Sequence, residues 1–273
     1  MDETNVQSYY EREAGDYNRD FYERDDPYPP LRYRHNYVLE MVGQLKWADN
    51  IKILDAGCGP GETVIDLMQR NWSLWGIDIA DAMIEIARGK LAKVKGKTNP
   101  VHFSVGDIEN LDFEPDQFDL IICSGVIEYL SDDEKWSREL DRVLKPGGIL
   151  IINITNRYAV RKWTAPLIDR LKRNKQLFAF MDYAKRNIIK KGKLNAFPFI
   201  PRMHGPGQFD RFLASKGFIK ITHRYFDFSI LPAPFDTLMG FVSVPVRQYM
   251  ERFSTWPMVL NGTGYIVCAR KQG

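Results

Sequence analysis

The sequence predicts an α/β fold built on a doubly wound, mostly parallel sheet. Three observations predict it. Short apolar runs alternate with helical patterns from Asn36 to Thr155. The runs are apolar nearly throughout, as strands covered on both faces are. The first run, "IKILDA", leads directly into a glycine-rich turn, "GCGPG", Gly57 to Gly61, and a helix. Crossovers between parallel strands are right-handed, which gives the doubly wound arrangement.

Each element has its own signal. Residues 1–36 are rich in charge and tyrosine (Tyr9, Tyr10, Tyr17, Tyr22, Tyr28, Tyr33, with Phe21). They read as a helical arm packed on the core, or as a lid whose aromatics shape a site. A helix over about 36–46 precedes strand "IKILDA". The helix after the glycines carries Val64, Leu67 and Met68 on one face. Strand "SLWGIDI", helix "DAMIEIARGKLAKV" and strand "VHFSVGD" come next. Then come strand "FDLIICSG", a helix from Asp132 to Leu144, a turn "KPGG" and strand "ILIINIT". Residues 157–205 interrupt the alternation with two amphipathic helices and a proline loop, "FPFIPRMHGPG". A helix from Gln208 to Lys216 and strand "FIKITHRYFDF" resume it. Residues 230–262 are a second aromatic and proline-rich excursion, and "GYIVCARK" is the last strand. The expected organisation is an arm (1–36), a ligand-binding core (37–156), a helical cap insert (157–205) and the rest of the core (206–273).

At 273 residues, one large domain with insertions is expected. Apolar residues at 44% and charged residues at 27% suit a globular chain. Cys58, Cys123 and Cys268 are widely spaced and odd in number. They suggest neither a metal site nor a disulfide framework, and a reducing cytoplasm is expected. The polar start "MDETNVQSYYERE" has no leader pattern. The most apolar window, Ile230 to Val246, holds three prolines and Asp236, so no membrane span is expected. Net charge is +3, yet Arg157 to Lys193 holds 12 Lys/Arg and two Asp, a local +10. Such asymmetry points to contact with something anionic.

The glycines ask which ligand they hold. Glycine permits positive φ and close approach of a ligand to the backbone. In doubly wound sheets, ligands sit beyond the carboxyl ends of the strands. The spacing Gly57-Cys58-Gly59-Pro60-Gly61 is G-x-G-x-G, not the G-x-G-x-x-G of dinucleotide sites. Asp55 beside the turn suits a cationic ligand better than a pyrophosphate. Asp78 ends the next strand, 19 residues beyond Gly59, and can accept hydrogen bonds from ribose hydroxyls. Asp107 ends the third and can meet an adenine amino group while Ile108 covers the ring. Singly, Asp78 or Asp107 reads equally well as a strand-end cap. Acids at three successive strand ends behind G-x-G-x-G read as a site.

These motifs carry a resemblance. "LDAGCGPG", "GIDIADAMIEIAR", "VGDIENLDF", "FDLIICSGVIEYL" and "VLKPGGILII" together resemble the class I S-adenosylmethionine-dependent methyltransferases. The resemblance covers roughly 50–155 and extends loosely over 205–271. It implies a seven-stranded, Rossmann-like sheet whose last strand runs antiparallel. It implies that S-adenosyl-L-methionine binds over Gly57, Gly59 and Gly61, with Asp55 near the methionine amine, Asp78 on the ribose, and Asp107 and Ile108 at adenine. Cys58, Ile79, Met83 and Ser124 complete the implied cofactor set. The run "PPLRYRHNY" resembles the arm of quinone-pathway O-methyltransferases, where an arginine meets the cofactor carboxylate. Arg34 is favoured over Arg32 for that part.

The segment after the fourth strand narrows the acceptor. DNA amine methyltransferases carry (N/D/S)-P-P-(Y/F) there, and this chain reads "CSGVIEY". Small-molecule methyltransferases often read "LEH", where this chain has Ile127-Glu128-Tyr129. Glu128 reads as a helix-start or nearby acid and Tyr129 as a pocket residue. His102 starts a strand, His35 lies in the arm and His223 on a strand. His204, in "PRMHGPGQF", is the candidate base, with a surface loop histidine as the alternative. The basic helices of 157–193 read as a cap with a solvated face, ahead of peripheral membrane contact. Nucleic acid is not expected as a partner. The expected activity is methyl transfer to a hydroxyl, or an amine, of a small aromatic or lipid-like molecule. The rivals are a tRNA or protein methyltransferase, and a cofactor-binding protein without transfer.

Overall fold

Ile53, Leu54, Ile121, Ile122, Ile151 and Ile152 are essentially fully buried, and their alternation builds two cores on one sheet. In a strand, neighbouring side chains point to opposite faces. Leu54, Ile121 and Ile152 share one core with Trp136, Leu140, Phe209 and Leu213. Ile53, Ile122 and Ile151 share the other with Val38, Met41, Val64, Leu67 and Ile84. The sheet is therefore covered on both sides, as the apolar strands require.

The computed structural model describes residues 3–19, 28–96, 100–160, 201–230, 239–257 and 262–273, with isolated positions between 170 and 183. The expected cap helices fall largely outside the described residues. So do Phe21, Tyr22, Lys172, Arg173, Lys190 and Lys191.

The helices are α1 (Glu3–Asn18), α2 (Pro30–Gln44), α3 (Glu62–Leu67), α4 (Asp81–Lys93), α5 (Glu134–Val143), α6 (Pro206–Ser215) and α7 (Gly240–Met250). The strands are β1 (Lys52–Ala56), β2 (Ser73–Asp78), β3 (Val101–Val105), β4 (Phe118–Cys123), β5 (Leu144–Thr155), β6 (Phe218–Phe228) and β7 (Gly262–Lys271). The sheet order is β3-β2-β1-β4-β5-β7-β6. β1 to β5 are parallel, and β7 pairs antiparallel with both β5 and β6. The order reverses between β1 and β4, which opens a crevice at their carboxyl ends.

Two local expectations shift. Helix α2 begins at Pro30 instead of about residue 36, because proline at the first helical position needs no hydrogen-bond partner for its nitrogen. The arm is thus two helices, the second continuous with the core. The "KPGG" segment is not a separate turn. It runs into β5, and the pairing with β4 jumps from Phe118↔Leu144 to Leu120↔Ile149, an irregularity that absorbs the glycines. Among the described residues, no helix is long and apolar enough to cross a membrane.

Candidate active site

The carboxyl ends of β1 to β4 open into a cavity of about 1070 Å³, its mouth included. The glycine turn makes its floor. Gly57 N–H and Cys58 N–H both donate to Ile77 C=O at 2.8 Å, tying the turn to β2. Gly57 has φ +81°, and a Cβ there would lie 2.1 Å from a methyl of Val126. Gly59 has φ +51°, and a Cβ there would meet nothing within 4 Å. The first glycine thus allows the turn to pack, and the second leaves open space above the backbone.

Asp78 ends β2 with both oxygens fixed by backbone. One accepts from Gly59 N–H at 2.9 Å, the other from Ala80 N–H at 3.0 Å. Burial raises its pKa, against the pull of those same donors. Asp107 follows β3, and its Oδ1 accepts from Glu109 N–H at 2.8 Å, with Ile108 buried beside it. Asp55, 3% exposed, is pushed up to about 7 by burial and by Asp78, with Arg34 pulling the other way. Arg34 reaches in from α2, packs against Gly125 and hydrogen-bonds Tyr17. Gly125 N–H donates to Asn153 Oδ1 at 2.6 Å, which shapes the Ser124 end of the cavity.

Helix α1 is the roof. Val6, Tyr10 and Tyr17 line the cavity from above, and Tyr10 meets Tyr129 edge-on at 5.8 Å. Gln7 Nε2 donates to Ile79 C=O at 3.0 Å. Glu11 accepts from Asp81 N–H at 2.7 Å and Ala82 N–H at 3.0 Å. Those donors open α4, whose cap residue Ala80 has no side chain to offer. A carboxylate at a helix N-terminus also complements the helix dipole.

Arg34, Asp55, Gly57, Cys58, Gly59, Asp78, Ile79, Met83, Asp107, Ile108, Ser124 and Tyr129 all line this cavity. Gly61 sits behind it as the cap of α3, with φ +84°. Burial and neighbouring Glu128 push the Tyr129 phenol up, so it is a hydrogen-bond donor at neutral pH. Glu128 is buried beside the lining, and its backbone C=O accepts from Arg202 N–H at 2.7 Å.

His204 lies elsewhere. Its Nε2 is 3.1 Å from Asp133 Oδ2, which Arg202 also contacts at 2.8 Å. Burial opposes ionisation of Asp133, but the hydrogen bonds from His204 and Arg202 hold it down to about 2. His204 lines a small pocket with Arg157, Gln208, Phe209 and Phe212, apart from the acid-lined cavity. His102 stacks on Trp75, and His223 packs against Tyr225 and Tyr265.

Val6, Val38, Thr63 and Val126 line the cavity without having been singled out from sequence, whereas Tyr10 and Tyr17 line it as aromatics of the arm. A signal existed for the arm. Val6, Tyr10 and Tyr17 fall on one helical face, and that face is the one turned inward. His35 Nε2 contacts Asp66 at 2.7 Å across α2 and α3, a pairing no local pattern announces.

The donor set suits the implied cofactor. Three carboxylates face one guanidinium, so the lining favours a ligand that brings positive charge. Open space over Gly59 leaves room for such a ligand against bare backbone. Among the described residues, no group of three His, Cys, Asp or Glu is arranged to hold a metal.

Residues 54–152 match the family model described as a methyltransferase domain. The chain is similar to norajmaline N-methyltransferase of Rauvolfia serpentina, 37% identical over 101 residues, 37% of this chain and 34% of that protein. It is also similar to a ubiquinone biosynthesis O-methyltransferase of Rickettsia bellii, 29% identical over 125 residues, 45% of this chain and 50% of that one. The matches thus span about a third to a half of these curated relatives. In fold, it resembles magnesium protoporphyrin IX methyltransferase of Synechocystis PCC 6803 with bound SAH, with a TM-score of 0.62 and 17% identity over 100% of both chains. Family match, motif order and strand order agree: residues 54–152 form a methyltransferase domain, set in a sheet whose strand order resembles the class I S-adenosylmethionine-dependent methyltransferases.

Proposed function

We propose that the protein transfers the methyl group of S-adenosylmethionine to a hydroxyl of a small aromatic or lipid-like molecule. The observation that carries this reading is the two-part lining of one cavity. Its floor is Asp55, Asp78, Asp107 and bare glycine backbone, and its roof is Val6, Tyr10, Tyr17 and Tyr129. The floor suits the cofactor, and the aromatic roof suits a flat or apolar acceptor. When bound, the cofactor supplies a methyl group already activated on a sulfonium.

The chain's own residues have three tasks. Asp78 would hold the ribose, Asp107 and Ile108 the adenine, and Arg34 the cofactor carboxylate. Tyr10, Tyr17 and Tyr129 would exclude water and align the acceptor at about 3 Å from the methyl carbon. The Tyr129 hydroxyl, protonated at neutral pH, would orient the acceptor by a hydrogen bond rather than take its proton. An acidic phenol needs no protein base, whereas an alcohol does. His204, paired with Asp133 in a separate pocket, would serve as base only for an acceptor that reaches that pocket.

The test is S-adenosylhomocysteine formation by the full chain across a panel of phenols, apolar alcohols, amines and bulk tRNA. Turnover on a phenol or apolar alcohol, lost in Asp78→Ala, is the expected result. Cofactor binding by calorimetry with no turnover on any acceptor would mean a binding protein. Methylation of tRNA alone would assign a polymer substrate.

A further inference from the structure

Helix α7 is amphipathic in the reverse sense. Ser243, Arg247, Glu251 and Ser254 succeed one another at helical spacing, continuing past the end of α7, and all are buried. Phe241, Val242, Pro245, Val246 and Tyr249 form the opposite stripe and all are exposed, Phe241 to 82%. Trp256, just beyond, is 60% exposed. In a globular protein the apolar stripe normally faces the core.

The polar stripe explains why it does not. Arg247 Nε donates to Phe228 C=O at 2.5 Å, and its other nitrogen pairs with Asp227 at 3.0 Å. Its guanidinium lies 4.0 Å over the Tyr28 ring. Glu251 accepts from the Tyr28 hydroxyl, and from Tyr37 at 2.6 Å. Arg224 donates to Ser254 Oγ at 3.1 Å. Rolling the helix to bury its apolar side would strand these buried charges, a larger loss than the burial gained. The apolar face is therefore held outward.

Charge narrows the choice of partner for this face. Among the described residues 239–257, the exposed charge is Arg252 alone, its guanidinium 5.6 Å from the Tyr249 ring. A second copy would bring two faces of the same sign together. An anionic lipid surface is complementary to that sign and accepts a convex ridge without needing a matching groove. Tyr249 and Trp256 have the amphipathic rings that settle at the headgroup level, and Phe241 and Val246 suit the acyl boundary.

We propose that the outward face of α7, with Trp256 and Arg252, docks the protein on an anionic membrane surface. This goes beyond the proposed methyl transfer and does not rest on it. The test is co-sedimentation of the full chain with vesicles of phosphatidylcholine and phosphatidylglycerol. Wild type is compared with Phe241→Ser/Val246→Ser/Trp256→Ser. Wild type should bind, and the triple variant should bind at least about tenfold more weakly, with its circular dichroism and S-adenosylhomocysteine affinity unchanged. Should the triple variant misfold, Trp256→Phe replaces it, and quenching of wild-type fluorescence by brominated lipid must then fall in that variant. Three outcomes overturn the proposal: no binding by wild type, binding untouched by these substitutions, or a wild-type dimer in sedimentation that Phe241→Ser dissociates.

Discussion

Asp78 anchors the cavity at the scale of single residues, because both its oxygens are oriented by backbone before any ligand arrives. Two charge-assisted hydrogen bonds to a ribose are worth roughly 1.5–3 kcal/mol each. Asp78→Ala should therefore weaken S-adenosylhomocysteine binding at least about tenfold in calorimetry. Asp55 should make a pH-dependent contribution to cofactor binding. Burial and Asp78 raise it to about 7, so it is largely neutral at pH 6 and largely charged at pH 8. A carboxylate attracts the ligand's ammonium and a protonated acid does not. Affinity should rise between pH 6 and 8, and Asp55→Asn should flatten that rise.

Between elements, the contact that matters most for the site is the one from α1 to α4. Ala80 cannot cap α4, and Glu11 does so from another helix. The same carboxylate holds the roof that carries Tyr10 and Tyr17. Glu11→Ala should cost about 0.5–2 kcal/mol in denaturant unfolding, the range of lost caps. It should also speed amide hydrogen exchange in residues 3–18 more than in β1 or β4, because loss of the cap frees α1 locally. Uniform acceleration across the sheet would instead mean that the contact supports the whole fold.

At the scale of the whole molecule, Glu251 joins distant parts of the chain. It accepts from Tyr28 and Tyr37 at the start of the core and sits beside Arg247 and Asp227 near its end. Burial drives its pKa from 4.5 to about 7, with the tyrosine hydroxyls pulling down and Asp227 pushing up. The unfolded chain releases this proton near 4.5, and the folded chain keeps it until about 7. Stability from this group is fully present below the unfolded value and is lost as pH rises across that window. A tenfold difference in proton affinity between the two states corresponds to about 1.4 kcal/mol. Glu251→Gln keeps an acceptor for both tyrosines and cannot ionise. Its unfolding free energy should decline less than wild type's between pH 5 and 7.5, and an unchanged slope would exclude Glu251 as its source.

The sequence by itself determined the α/β class, the order of the strands along the chain and the acids that end three of them. Those signals are local. Apolar runs, a glycine turn and an acid at a strand end are each set by a few adjacent residues. Asp55, Asp78 and Asp107 were legible because parallel strands deliver their carboxyl ends to one side. Tertiary structure alone decided which residues roof that side and which charges are buried. Tyr10 meets Tyr129 across more than a hundred residues, and His204 spends its imidazole on Asp133 instead of on the cavity. The orientation of α7 is the clearest case. An apolar stripe on a helix ordinarily turns inward, and the buried polar partners on Phe228, Asp227, Tyr28 and Tyr37 turn this one outward. Burying an unpaired charge costs more than exposing a few apolar side chains, and whether a charge finds its partner depends on residues far away in the chain.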